Sequence, residues 1–297
     1  MITQRIGVLG CGVMGQGIAR AAAGAGMTTI LCKVTPGDLD QVKAEFMSRL
    51  EKSKLTPETK SAIRANLYWA DQIGDLKDCD LVIESIVEDL LKKQDLFRQL
   101  DGIVKPEAIF ASNTSTLSIS DLANVTGRQD RFLALHFFNP TSAMHLVEVA
   151  YTKSTATSVV NAGKSFVHKV GKKPIIVGDD SPGFVVNRLL MNSLLYAIRS
   201  WEDDLASMED IDQAIKLGLR HPMGPFTLCD FIGLDVVLAM SKNLCSGLKD
   251  KCFAPRPSLR RLVSLGMLGK KTEKGFYDYT ADPARPNNVL STFRASP

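Results

Sequence analysis

Two residues twelve positions apart, His136 and Glu148, have the residue types and the setting of an acid–base pair. His136 directly follows the apolar run Phe132–Leu135, and Glu148 lies within the apolar run Leu146–Val149. A carboxylate in an apolar strand is unfavourable unless a partner compensates its charge. If the two runs form adjacent strands, the carboxylate can hold the imidazole, fix its tautomer and raise its basicity. The alternative is a hydrogen-bonded core histidine and a glutamate that faces solvent.

A glycine-rich turn near the start of the chain predicts a site for a dinucleotide. Residues 10–15, Gly-Cys-Gly-Val-Met-Gly, follow the apolar run Ile6–Leu9 and precede an alanine-rich helical segment. In such a strand–turn–helix unit a pyrophosphate approaches the helix N-terminus, where N–H groups and the helix dipole stabilise its charge. The residues predicted to contact the cofactor here are Gly10, Gly12, Val13, Met14 and Gly15. A histidine–glutamate pair beside a nicotinamide is suited to alcohol oxidation, because the base takes the hydroxyl proton as hydride leaves the carbon.

The residue after the second predicted strand leaves the identity of the nicotinamide cofactor open. In dinucleotide folds of this kind an acidic residue about 20 residues after the glycines holds the ribose hydroxyls of NAD. Here Lys33 follows the strand Thr28–Cys32. A carboxylate repels the 2′-phosphate of NADP, whereas an ammonium attracts it. Both NAD and NADP are therefore compatible with this position.

Two polar segments are candidates for substrate binding. The first, Ser112-Asn113-Thr114-Ser115, follows an apolar strand and offers small donors for a substrate oxygen, although such a loop is also typical of a plain turn or helix cap. The second contains Asn187 and Arg188, two polar residues at the start of an otherwise apolar helix. For Arg188 an interdomain salt bridge is the slightly favoured explanation. No group of residues has the spacing of a metal site.

Composition limits the class of protein and its partners. The chain has 297 residues, is 45% hydrophobic and 23% charged, and carries a net charge of +4 without a basic run. These values are ordinary for a globular protein with two domains and argue against nucleic acid as a partner. No apolar stretch approaches the roughly 20 residues that span a bilayer. Because the six cysteines lack paired spacing, we expect reduced thiols in a cytoplasmic protein without a membrane partner.

Short apolar runs alternate with helical patterns through the first part of the chain. This alternation predicts an α/β fold with a Rossmann-type doubly wound, mostly parallel sheet. One helix is expected over Asp38–Lys54, and Thr56-Pro57 matches an N-cap followed by proline at the first helical position of the next. We expect residues 1–182 to form the dinucleotide-binding domain.

Beyond Pro182 the pattern becomes almost wholly helical and predicts an all-helical C-terminal domain over residues 183–297. One long helix is expected over Pro225–Leu244. This half carries more Leu, Ile, Val and Met than one small bundle needs for its own core. We therefore expect it to bind substrate and to bury one face in a homodimer.

Motifs spread over nearly the whole chain together resemble the 3-hydroxyacyl-CoA dehydrogenase family, including bacterial 3-hydroxybutyryl-CoA dehydrogenases. The motifs are Gly10-x-Gly12-x-Met14-Gly15, Ile83-Glu84-Ser85-Ile86-Val87-Glu88, Ser112-Asn113-Thr114-Ser115, His136-Phe137-Phe138-Asn139-Pro140, Asp180-Ser181-Pro182-Gly183-Phe184 with Asn187-Arg188, Pro222-Met223-Gly224-Pro225, and Gly269-Lys270-Lys271-Thr272 with Gly275-Phe276-Tyr277. The resemblance implies hydride transfer between C3 of an acyl thioester and C4 of a nicotinamide.

The resemblance also implies a role for individual residues. His136 would be the general base with Glu148 as its partner, while Ser115 would hold the 3-oxygen. Asn187 would hold the substrate carbonyl. The residues that it places around the cofactor or the acyl carrier are Glu88, Lys93, Asn113, Asn139 and one of Lys270 and Lys271, with Lys271 preferred.

Departures from the family pattern keep alternatives open. Lys33 replaces the ribose-binding acid of a family that mostly uses NAD. The basic residues for the CoA phosphates are not evident, and Lys52 and Lys54 are the nearest candidates for this substrate contact. The partner is therefore an acyl-CoA or, as in polyketide extender-unit pathways, an acyl carrier protein. Two further alternatives are a non-catalytic dinucleotide-binding relative and an enzyme with a lysine base on the interdomain helix, where this chain has Asn187.

Overall fold

The computed structural model describes residues 4–35, 37–178, 180 and 182–290. Contacts divide the chain into two compact units, Met1–Asp180 and Ser181–Pro297. Each unit has its own hydrophobic core. Among the described residues, every helix is too short or too polar to cross a bilayer.

The first unit contains one sheet of eight strands. In chain order they are β1 (Arg5–Leu9), β2 (Thr28–Cys32), β3 (Leu67–Ala70), β4 (Leu81–Glu84), β5 (Ile109–Ser112), β6 (Phe132–Phe137), β7 (Leu146–Ala150) and β8 (Lys173–Val177). Their spatial order is β3-β2-β1-β4-β5-β6-β7-β8. Neighbours pair in parallel except β6 and β7, which run antiparallel. The prediction of a Rossmann-type, mostly parallel sheet is confirmed.

Six α-helices connect these strands. They are α1 (Val13–Gly24), α2 (Leu39–Lys52), α3 (Pro57–Asn66), α4 (Leu90–Asp101), α5 (Ile119–Ala123) and α6 (Thr157–Lys169). The N-cap predicted for α3 is present, because the Thr56 hydroxyl accepts a hydrogen bond from the Thr59 amide at 3.3 Å. Asp38 caps α2 in the same way through the Asp40 amide. These caps satisfy amides that the first helical turn leaves without an intrahelical acceptor.

The second unit is helical apart from a small antiparallel ladder. Its helices are α7 (Val186–Glu202), α8 (Met208–Gly218), α9 (Pro225–Ile232), α10 (Leu234–Leu248) and α11 (Pro257–Ser264). The ladder joins β9 (Tyr277–Asp278) to β10 (Arg285–Pro286). The expectation of one helix over Pro225–Leu244 is wrong, because Gly233 adopts a φ of +103° that separates α9 from α10. Only glycine reaches that region without steric cost, so the break is built into the sequence.

Candidate active site

The glycine-rich turn after β1 has the geometry of a phosphate-binding turn. Gly10 has a φ of +103°, and a Cβ there would collide with the backbone oxygen of Ser85. A Cβ on Gly15 would collide with the carbonyl oxygen of Gly10, so α1 begins as close to β1 as the backbone permits. At Gly12 a Cβ would meet no described atom within 4 Å. Gly12 also caps α1 without a side-chain hydrogen bond, so this open space adjoins the amides of the first turn. A pyrophosphate fits such a position.

Lys33 lies directly after β2 and is 8% exposed. Its ammonium donates a hydrogen bond to the carbonyl oxygen of Thr35, and a Cβ on Gly37 would lie 3.2 Å from its Nζ. The lysine therefore folds back over its own loop. The amide of Lys33 donates to the carbonyl oxygen of Ala70 at 2.8 Å, which ties this loop to β3.

His136 and Glu148 face each other across the antiparallel pair β6–β7. They are direct register partners, and Nδ1 of His136 lies 2.7 Å from Oε2 of Glu148. Glu148 is fully buried and His136 is 6% exposed. The contact predicted from the two apolar runs is therefore present, and the alternative of a glutamate facing solvent is wrong. The ring of His136 also packs against Phe138, with ring centroids 4.4 Å apart.

Asn113 connects the loop after β5 to β6, the strand that carries His136. Its Oδ1 accepts a hydrogen bond of 2.8 Å from the amide of Phe137, the residue after His136. Its Nδ2 donates to Oγ of Ser85 at 3.3 Å. The side chain predicted to bind cofactor thus joins three segments that follow the carboxyl ends of β4, β5 and β6.

Ser115 lies in a loop that hydrogen bonds to a carboxylate, Glu88. Oε1 of Glu88 accepts from the Thr114 hydroxyl at 2.6 Å and from the Ser115 amide at 3.1 Å. Thr116 adds its amide and its hydroxyl to the same oxygen. Burial raises the pKa of Glu88, but the charge of Lys93 and these hydrogen bonds outweigh it, and the pKa lies below the ordinary value. The carboxylate is therefore ionised at neutral pH and holds the loop.

Lys93 is buried between two glutamates. Its Nζ lies 2.6 Å from Oε1 of Glu84 and 3.3 Å from Oε2 of Glu88. Glu84 is fully buried and Lys93 is 1% exposed. Glu88 and Lys93 were predicted to lie near the cofactor, whereas no role was predicted for Glu84. The sequence does contain a signal for Glu84, because this carboxylate ends an apolar run, just as Glu148 lies inside one.

Asn139 and Val13 line a cavity of about 140 Å³ on the first unit. Arg20 of α1 and Arg49 of α2 line it too, and sequence reasoning identified neither. Burial, followed by the charge of Arg49, lowers the pKa of Arg20 below its ordinary value. Two basic side chains thus line this cavity. Its remaining lining residues are Gln16, Gly17, Phe46, Leu50, Pro140, Thr141 and Ser142.

Lys52 and Lys54, the candidates from the sequence, are both exposed at the end of α2 and just beyond it. They do not line the cavity that contains Arg20 and Arg49. Arg20 belongs to α1 and Arg49 to α2, and the fold brings both to one cavity. No local pattern in the sequence brings them together.

Two predicted residues belong to the second unit. Asn187 is half-buried in the first turn of α7. Lys271 donates to both carboxylate oxygens of Asp235, at 2.6 and 2.7 Å. Burial raises the pKa of Asp235, but the hydrogen bond and charge of Lys271 together with backbone hydrogen bonds outweigh it, and the pKa lies below its ordinary value. Lys270 instead lies 5.6 Å from the centre of the Tyr279 ring.

A buried carboxylate in the second unit was also missed. Asp230 accepts hydrogen bonds of 2.9 Å from the amides of both Phe276 and Tyr277, and one of 3.0 Å from the Tyr279 hydroxyl. Burial nevertheless raises its pKa to about 6, and the charge of Asp212 adds to the shift. Asp230 thus binds the segment around β9 to α9.

A dinucleotide turn and a buried histidine–glutamate pair at the carboxyl edge of one sheet are characteristic of nicotinamide-dependent oxidoreductases. Two family models match this chain, "3-hydroxyacyl-CoA dehydrogenase, NAD binding domain" over residues 5–181 and "3-hydroxyacyl-CoA dehydrogenase, C-terminal domain" over residues 183–279. The chain belongs to the 3-hydroxyacyl-CoA dehydrogenase family.

Individual relatives match along most of their length. A 3-hydroxybutyryl-CoA dehydrogenase of Bradyrhizobium diazoefficiens is 41% identical over 282 residues, which cover 94% of this chain and 96% of that protein. The human mitochondrial hydroxyacyl-coenzyme A dehydrogenase is 40% identical over 294 residues, with 94% and 92% covered. The crystal structure of (S)-3-hydroxybutyryl-CoA dehydrogenase from Ralstonia eutropha superimposes with a TM-score of 0.89 at 39% identity, covering 94% of this chain and all of that one (100%).

Proposed function

We infer that this protein is an oxidoreductase that interconverts 3-hydroxyacyl-CoA and 3-oxoacyl-CoA with a nicotinamide cofactor. The observation that carries the inference is the 2.7 Å contact between buried His136 and Glu148 at the sheet edge that also bears the dinucleotide turn. The relatives named for this activity match 94% of the chain. No observation favours an acyl carrier protein or a non-catalytic role.

We propose that His136 carries out the proton chemistry. The bound nicotinamide supplies the hydride acceptor for alcohol oxidation and the donor for the reverse reaction. Because Nδ1 of His136 is held by Glu148, Nε2 is the ring atom that takes the proton of the 3-hydroxyl. The fully buried Glu148 carboxylate then stabilises the imidazolium that forms.

Ser115 and Asn187 are proposed to orient the thioester. The Glu88 carboxylate fixes the Ser115 backbone and thereby directs its hydroxyl, which would donate a hydrogen bond to the 3-oxygen. Asn187, in the first turn of α7, would bind the thioester carbonyl.

We propose NAD as the preferred cofactor. The family model for the first domain is described as NAD-binding. The ammonium of Lys33 donates a hydrogen bond to Thr35, which holds the side chain over its own loop. Lys33 also lacks the negative charge that excludes NADP, so we expect NADPH to be accepted at a reduced rate.

The anionic arm of the acyl carrier is proposed to bind at the cavity between Arg20 and Arg49. The charge of Arg49 disfavours the charged form of Arg20, and a phosphate bound beside them would compensate for this. Asn139, at the rim of this cavity, would contact the pantetheine portion. Lys52 and Lys54 are exposed and would add longer-range attraction only.

We propose that residues 1–182 bind the dinucleotide and that residues 183–297 bind substrate and form a homodimer. The second unit exposes large apolar side chains, including 67% of Leu189 and 66% of Tyr196 on one face of α7. Such a face is stabilised by a second copy of the chain. Light scattering should give the mass of a dimer for the wild type and of a monomer for Leu189→Asp. A monomeric wild type would contradict the proposal.

The state of the cysteines supports a reducing compartment such as the cytoplasm. All six are free in the structure, although only Cys252 is exposed. Burial raises the pKa of Cys11 to about 11 and that of Cys32 to about 12, so both stay protonated and unreactive.

The test of function is a spectrophotometric assay of short 3-oxoacyl thioesters with NADH and with NADPH. We expect oxidation of NADH in the presence of acetoacetyl-CoA, and slower turnover when the same acyl group is attached to an acyl carrier protein. Faster turnover on the carrier protein would assign the substrate to that class instead. Absence of turnover with every thioester would refute the proposed function.

A further inference from the structure

The buried residue Glu84 accepts hydrogen bonds from three different segments of the first unit. It is the last residue of β4 and is fully buried. Its Oε1 accepts hydrogen bonds from Lys93 Nζ at 2.6 Å and from the Ile86 amide at 2.7 Å. Its Oε2 accepts from the Ser112 hydroxyl at 2.6 Å. Glu84 therefore contacts the start of the loop that carries Ser115, as well as the lysine behind that loop.

The two glutamates share a single ammonium, and they share it unequally. Lys93 lies 0.7 Å closer to Glu84, at 2.6 Å, than to Glu88, at 3.3 Å. Glu88 uses its other oxygen, Oε1, for the hydroxyl and amide donors of the loop Thr114–Thr116. If Glu84 lost its charge, Lys93 would be drawn towards Glu88, since a buried ammonium is costly without a close counter-charge. The Glu88 carboxylate would then turn away from the loop.

We propose that Glu84 is a positioning residue for the dehydrogenase reaction. It holds Lys93 so that Glu88 remains available to fix the Thr114–Thr116 loop, and through Ser112 it holds the start of the same loop. The hydroxyl of Ser115 is thereby aimed at the 3-oxygen of the substrate. This inference rests on the proposed function, in which Ser115 makes that hydrogen bond.

The experiment is a double-mutant cycle of Glu84→Gln and Ser115→Ala, in which kcat and KM for acetoacetyl-CoA and NADH are measured. Glu84→Gln keeps the size of the side chain and removes its charge. A displaced reacting group lowers kcat by on the order of 100-fold, and we expect a loss of that size in each single variant. If Glu84 acts through Ser115, the double variant should be no more than about threefold slower than Ser115→Ala, because interacting residues are not additive.

Glu202→Gln is the matched control. Glu202 is a buried glutamate of the second unit that accepts hydrogen bonds from Arg256 and from Ser258, the same kinds of partner that Glu84 has. The Glu202→Gln variant should have a lower melting temperature and an unchanged kcat. A merely structural role for Glu84 would give the same result as this control.

Three outcomes overturn the inference. One is a kcat for Glu84→Gln within threefold of wild type. Another is a double variant whose kcat lies below that of Ser115→Ala by the full factor that Glu84→Gln causes alone. Wild-type chain that turns over no thioester would overturn the proposed function and the positioning role together, whereas additive losses in an active enzyme overturn only the positioning role. If Glu84→Gln does not fold, Ser112→Ala replaces it in the cycle, since it removes the hydrogen bond from the loop to Glu84. Additive losses in that cycle would likewise refute the role.

Discussion

Replacing Glu148 by glutamine isolates the effect of one buried charge on the proposed proton transfer. The carboxylate oxygen lies 2.7 Å from Nδ1 of His136, in a site where Glu148 is fully buried and His136 nearly so. Charge centres about 4 Å apart attract by about 4 kcal/mol at the effective dielectric constant of protein sites. This attraction acts only on the charged imidazolium. The Glu148 carboxylate therefore stabilises the state in which His136 has taken the proton. A loss of that size corresponds to roughly a thousandfold in rate.

We therefore expect Glu148→Gln to lower kcat for 3-hydroxybutyryl-CoA oxidation by roughly a thousandfold with little change in NADH affinity. The assay is steady-state turnover followed by nicotinamide absorbance, with NADH binding measured separately by fluorescence. The matched control is again Glu202→Gln, which removes a buried carboxylate far along the chain from the histidine strand. A Glu148→Gln enzyme within tenfold of wild type would refute the argument that this charge stabilises the imidazolium.

Three further predictions concern the cofactor, the carrier and stability. Lys33→Asp should shift the ratio of NADPH to NADH activity towards NADH by at least about tenfold, on the order of 1.4 kcal/mol; an unchanged ratio would mean that Lys33 does not face the ribose. Arg20→Ala with Arg49→Ala should raise KM for acetoacetyl-CoA by at least about tenfold with kcat nearly constant, the mark of lost uniform binding. A kcat loss without a KM change would contradict the carrier site.

The third of these predictions follows from Asp230, whose pKa is raised to about 6 in the folded protein from its ordinary value of 3.8. Because the folded state holds this proton more tightly, the contribution of Asp230 to the free energy of unfolding is fully present below about pH 4. That contribution is lost as the pH rises through about 6. Urea unfolding should show that decline over this range, by on the order of 2–3 kcal/mol, and Asp230→Asn should remove it. An identical pH slope in the variant would count against the assignment.

The sequence predicted those parts of the site that depend on residues close together in the chain. The glycine turn between an apolar strand and a helix is a local pattern, and its geometry is as expected. His136 and Glu148 could be paired because each interrupts or ends an apolar run, and a buried charge needs a partner. The antiparallel direction of β6 and β7, which makes the two residues register partners, was not specified by that argument.

Other parts depend on packing between distant segments. Lys93 reaches Glu84 from the next helix, and Arg20 of α1 comes to line the same cavity as Arg49 of α2 only in the folded chain. The break between α9 and α10 was missed because an isolated glycine is also tolerated inside a helix. For the buried ion pair and for the two arginines, the deciding interaction is set by tertiary packing and not by a local pattern.

The antiparallel pairing of β6 and β7 separates the geometry of the His136–Glu148 pair from the lining of the basic cavity, so that the two can evolve independently. The distance between His136 and Glu148 is set by the hydrogen-bonded ladder of the two strands and not by the segment that joins them. That segment, residues 138–145, contributes Asn139, Pro140, Thr141 and Ser142 to the basic cavity. Insertions or exchanges there would remodel the region proposed for the carrier and leave the base and its partner in register. A library confined to residues 138–145 is thus a direct route to altered carrier preference.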